Sequence, residues 1–251
     1  MARPPWMAMV ALAEAKLPPV EEIVGTLCAA WGDDVAADEI SQAGNVVTFR
    51  LGEAVVGLVL FPMPIPWERL EGPCACAWYW PQAADQMRRH QSHILVTLLD
   101  EYGQPQAQSM ALTKLVSSVA RCSNAIGVYW GPGRLVHSAY AFWEMAGELT
   151  ADELPLYLWI DFRVEQEPAG TLRLFTTGLE PFGHAELEVR DYRGTAEDLR
   201  VHVFSIAHYL LERKKTIADG ERIGLSDEVQ VTARHAPSMI DPQQEVVALE
   251  F

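Results

Sequence analysis

The chain has 251 residues, 49% hydrophobic and 21% charged. This composition excludes disorder, and the length allows one large domain or two lobes with cores of their own. The formal net charge is −15, counted as −6 over residues 1–149 and −9 over residues 150–251. A field of that sign repels phosphate backbones, so nucleic acid is not an expected ligand, and it favours basic partners.

The start, MARPPWMAMVALAEAK, imitates a cleavable signal, but its apolar run is at the short end of such signals and two prolines precede it. A first strand over Trp6–Leu12 and a cytoplasmic chain are expected instead. Val20, Ile23, Val24, Leu27 and Ala30 recur at helical spacing up to Gly32. The runs EISQAG, NVVTFRL and EAVVGLVLFP, separated by turns at Ala43–Asn45 and Gly52–Glu53, predict an antiparallel meander. Residues 62–81 hold five prolines, with Trp67, Trp78, Tyr79 and Trp80 among them. Dense proline excludes a sheet interior; a short helix from Pro66 to before Gly72 and another over Ala83–His90 are expected.

SHILVTLLD reads as a strand buried on both faces. Ala107, Met110, Ala111, Leu115, Val119 and Ala120 form a helix stripe, and NAIGVYWGPGR a strand and its turn. LVHSAYAFWEMAGEL predicts one helix ending near Gly147. The polar TADELP places a lobe junction at 150/151. Beyond it, LYLWIDFRVEQE, TLRLFTTG and AELEVRD are strands. A long helix follows, N-capped by Thr195, with Glu197 and Asp198 in its first turn and Arg213 to Lys215 at its end. A glycine-turned loop and two strands close the chain. The expected fold is α+β (mixed α/β) in two lobes, residues 1–150 and 151–251, each a mainly antiparallel sheet packed with helices.

Few motifs carry chemistry. Cys74 and Cys76 lack the second ligand pair of a zinc site; with Cys28 and Cys122 they read as thiols of a reducing compartment. There is no Gly-x-Ser-x-Gly and no Walker lysine, and WGPGR is read as a turn. His184, Glu186 and Glu188 alternate with apolar residues. On a strand they would share one face, as metal ligands joined by Asp191 or His202, as paired catalytic acids, or as the wet side of a sheet. Arg190 continues the alternation and opposes a metal, so the solvent-facing reading is preferred. His90 and His93 flank a helix–strand junction at a spacing that could hold a metal, which Arg88 and Arg89 beside them oppose; His202 and His208 read as packed or helix-surface histidines, His137 as lying near a helix start, and His235 as isolated. Trp67, Trp78 and Trp80 are either interface anchors in a loop or a cover over the first lobe's core. No cofactor and no metal are expected.

The stretches TTGLEPFGHAELEV, VFSIAHYLLER, IADGERIGLSDE and DPQQEVVALEF, over residues 171–251, resemble a bacterial domain-of-unknown-function family. Some of its members are similar to immunity proteins of contact-dependent and type VI secretion systems, including TsiT-like neutralisers of nuclease effectors. The resemblance implies a protein without catalysis that binds a cognate basic toxin, with a homodimer admitted. It carries over no catalytic residues. Acidity suits that role, since nuclease toxins bind phosphate and opposite charge speeds association. The candidate partner-binding residues are then Glu186, Glu188, Asp219, Glu221, Asp227 and Glu228, with Trp67, Trp78 and Trp80. The alternatives are a metal-dependent hydrolase on the His184 strand and a scaffolding module whose partner is not a toxin.

Overall fold

The computed structural model describes residues 6–32, 37–100, 103–150, 153–226 and 229–251. They form two compact units, Met1–Trp159 and Ile160–Phe251. The architecture is α+β, with one mainly antiparallel sheet in each unit.

Unit 1 begins with β1 (Trp6–Leu12) and α1 (Val20–Trp31), then the meander β2 (Ala37–Ala43), β3 (Val46–Leu51) and β4 (Ala54–Phe61). There follow α2 (Trp67–Cys76), α3 (Ala83–Met87), β5 (Ser92–Leu99), α4 (Pro105–Arg121), β6 (Ala125–Trp130), β7 (Leu135–Ser138), α5 (Ala139–Gly147) and α6 (Leu156–Trp159). The sheet runs β2-β3-β4-β5-β1-β6-β7, antiparallel throughout.

Strand alternation decides its two faces. Ala8, Val10, Val56, Leu58, Ile94, Val96, Leu98 and Val128 are fully or almost fully buried, and α4 packs against β1, β5 and β6 of this face, with α1 and α5 beside it. On the other face Met9, Ala11, Tyr129 and Val136 join Leu70, Cys74, Ala77, Trp80 and Met87 of the α2–α3 segment in a second core.

Several elements differ from their sequence expectation. Helix α2 continues through Gly72 and Pro73 to Cys76. Leu70 and Cys74, one turn apart, both bury into the second core, and that packing outweighs the amide lost at Pro73. The segment expected as one helix from Leu135 splits: Leu135–Ser138 pair with Gly127–Trp130 as a hairpin, and the Ser138 hydroxyl then accepts the Ala141 amide to start α5. Strand β5 is not buried on both faces, because Leu95 and Thr97 are half-buried and Leu99 is exposed. Leu156–Trp159 is a helical turn rather than the beginning of a strand.

Unit 2 contains β8 (Asp161–Gln166), β9 (Leu172–Thr177), β10 (Leu187–Tyr192), α7 (Ala196–Arg213), β11 (Arg222–Gly224), β12 (Gln230–Pro237) and β13 (Glu245–Glu250). The sheet order is β11-β12-β13-β10-β9-β8, with β10 and β13 parallel and the other pairs antiparallel. Helix α7 lies against β8, β9 and β10 and buries Leu199, Val203, Ile206, Ala207, Leu210 and Leu211. Thr195 caps it, its hydroxyl oxygen accepting the Asp198 amide at 3.0 Å.

Candidate functional site

The alternating segment 184–188 lies at the entry to β10, and its carboxylates face inward. Glu186 is 8% exposed and Glu188 2%, which corrects the expectation that they are solvent-facing. One Glu186 oxygen accepts three consecutive amides, Gly178 at 2.8 Å, Leu179 at 2.9 Å and Glu180 at 3.2 Å. The other accepts the Thr176 hydroxyl at 2.6 Å. That hydroxyl oxygen in turn accepts the Leu187 amide at 2.8 Å. The amides belong to the turn leading into the 3-10 segment Glu180–Phe182, so the side chain satisfies donors that a short helical start leaves open. Burial pushes the Glu186 carboxyl above its ordinary range, while the hydroxyl and the amides pull against it.

Glu188 does the same for another loop. It accepts the Ser238 hydroxyl at 2.5 Å and the Met239 amide at 2.9 Å. Ser238 oxygen accepts the Ile240 and Asp241 amides, so Glu188 clamps the 238–241 turn. Arg190 reaches a Glu188 oxygen at 3.4 Å and donates to the Pro237 carbonyl at 3.0 Å.

His184, Glu186, Glu188, Asp191 and His202 are therefore not brought together as ligands. His202 packs instead near the rings of Phe251 and Tyr192. Among the described residues no three His, Cys, Asp or Glu side chains are grouped to hold a metal ion.

Residues 175–250 match the domain of unknown function DUF4261. No curated protein and no solved structure matches the chain. The matched segment runs from the end of β9 through β10, α7 and β11 to β13, and both carboxylate clamps lie within it.

The tryptophan segment divides. Trp80 is 7% exposed and belongs to the second core of unit 1, which corrects its assignment as an interface anchor: two turns of proline-flanked chain fold it under the sheet. Trp67 is half-buried, with the Arg88 guanidinium 3.6 Å from its ring centroid. Trp78 is 47% exposed. Tyr79 donates to the Val136 carbonyl at 2.9 Å and stacks on His137.

Asp219 and Glu221 are exposed, and each accepts a backbone amide, from His235 and Ala218. Asp227 and Glu228 lie outside the described residues.

The unit 1 histidines are consumed internally. His90 accepts the Ile65 amide at 2.7 Å and its other nitrogen bonds the Met87 carbonyl. His93 bonds the Met63 carbonyl and stacks on Phe61, and burial lowers its pKa. His137 is fully buried. Its ring bonds the Leu158 carbonyl, its Nε2 has no partner among the described residues, and burial lowers its pKa to about 4.

Two surfaces escaped the sequence reading. A groove of about 490 Å³ lies between α3, β6 and α5, lined by Gln82, Asp85, Arg89, Ser138, Tyr140 and Trp143. The face of β3, β4 and β5 opposite α4 leaves Val46, Val55 and Leu99 exposed at 39%, 38% and 55%. Its signal was available: these strands carry apolar residues where a half-wet strand carries polar ones.

Proposed function

We propose that this chain is a binding protein without catalysis that neutralises a basic protein toxin by covering its phosphate-binding surface. The resemblance over residues 171–251 narrows the partner to a nuclease effector of the kind delivered by type VI secretion. The observation that carries the reading is where the acidity sits. Among the described carboxylates Asp161, Glu186 and Glu188 are buried, and nearly all the others are exposed. The two carboxylates with a chemical spacing are occupied by hydrogen bonds within unit 2, and the carboxylates left on the described surface outnumber the Lys and Arg there, so the outward field is negative. Such a field accelerates encounter with a basic partner and opposes anionic ones.

The test is co-expression of the full chain with the product of the adjacent open reading frame. The expected result is a tight complex that abolishes the toxicity of that product, with an association rate falling steeply as salt is raised. An adjacent product that is harmless alone, or that forms no complex, removes the reading.

A further inference from the structure

In unit 1 the sheet is covered on both faces only in part. Opposite α4, β3, β4 and β5 align three cross-strand rows. Val46, Val59 and Leu95 form one, Thr48, Gly57 and Thr97 the next, and Arg50, Val55 and Leu99 the third. The outer rows hold the exposed Val46, Val55 and Leu99. The middle row is low. A Cβ at Gly57 would stand 2.7 Å from the Thr97 hydroxyl oxygen, so a side chain there would have to displace that hydroxyl. The result is a shallow trough with apolar walls, and contiguous apolar surface of this kind marks contact sites.

The rim selects the occupant. Asp38 and Glu39 lie exposed on the edge strand β2, and the Glu53 side chain at the β3–β4 turn is 97% exposed. Arg50, the cation in these rows, is turned toward Glu53 at 3.7 Å. A second copy would set one acidic rim against another. Strand β2 also breaks register between Asp38 and Ser41, with Glu39 at φ 52°, and bulges and charges on an edge block strand-to-strand pairing. A basic partner meets neither obstacle.

We propose that this face of β2 to β5 is the docking surface for a basic protein. An apolar side chain of the partner seats in the Thr48–Gly57–Thr97 trough, and its Lys or Arg residues stand against Asp38, Glu39 and Glu53. The basic character of the partner rests on the functional reading above; the location does not.

The full chain is made in its native cells with the photo-crosslinking residue benzoylphenylalanine at Val55 or Leu99, and at Val201 on α7, 53% exposed, as a control. The captured protein is identified, purified and titrated against wild type, Thr48→Arg and Leu99→Arg. Both positions are exposed, so the variants keep the wild-type circular dichroism. The expected result is capture of a basic protein from Val55 and Leu99 but not Val201, with each variant binding it about 30-fold more weakly or worse. Capture of a second copy, or unchanged affinity in Thr48→Arg, overturns the proposal. A basic partner captured only from Val201 overturns the location and leaves the functional reading standing. An acidic partner, or none from any position, sinks both.

Discussion

Glu186 is a carboxylate spent on folding. Three amides and a hydroxyl point at its two oxygens, so truncation leaves several buried donors without partners. Glu186→Ala is expected to lower the stability of unit 2 by about 3–5 kcal/mol in urea unfolding. Glu186→Gln keeps one acceptor oxygen for the amides and is expected to cost about 1 kcal/mol; a Gln variant as damaged as the Ala variant would show that the charge, not the acceptor, does the holding. His137 supplies a pH signature. Its native pKa of about 4 lies below the ordinary 6.5 because burial disfavours the cation. As pH falls below 6.5 the unfolded chain takes up a proton that the native chain refuses. Stability is therefore complete above 6.5, declines through the window, and the loss is full below about 4. Its total size is about 3 kcal/mol. Replacing His137 with Phe should flatten the difference in stability between pH 7 and pH 4, measured by chemical denaturation; an unchanged pH dependence would remove His137 as its source.

Elements were legible where period and caps agree. Thr195 with its acidic first turn announced α7, and Thr195→Ala should cost about 1 kcal/mol in thermal unfolding by removing the acceptor for the Asp198 amide. The runs of β1, β3, β4, β6 and β9 were plain for the same reason: apolar runs bounded by turns. Local rules misled at α2 and β7. Gly72 and Pro73 read as a stop, yet Leu70 is fully buried beneath the sheet and holds the helix across them. Leu70→Ala is expected to destabilise unit 1 by about 2–5 kcal/mol, whereas a helix ending before Gly72 and packed loosely would lose far less. Leu135–Ser138 has helical company on one side, but Gly131 to Arg134 turn it back against β6, and ladder hydrogen bonds win over propensity.

For the molecule as a whole, each unit has a sheet with its own helical cover, and the division falls at 159/160 where composition had suggested 150/151. Residues 160–251 carry a complete hydrogen-bonded sheet and α7, so that fragment should fold alone and unfold cooperatively by circular dichroism. A fragment without a cooperative transition would show that unit 2 depends on the rest of the chain. Charge belongs to this scale too, because an exterior field is a sum over many groups and no single carboxylate carries it.

Composition, charge and hydrophobic period were enough to determine an acidic α+β chain with two mainly antiparallel sheets and the places of most helices. These follow from each residue and its near neighbours. Which side of a strand is wet was decided only by tertiary packing. Glu186 and Glu188 alternate like surface residues, yet turns at 178–180 and 238–241 fold over them and deliver aligned donors. Val55 and Leu99 stand in apolar runs that read like core, yet no described element covers them. Alternation states that two faces differ; what comes to lie against each is a matter of distant chain.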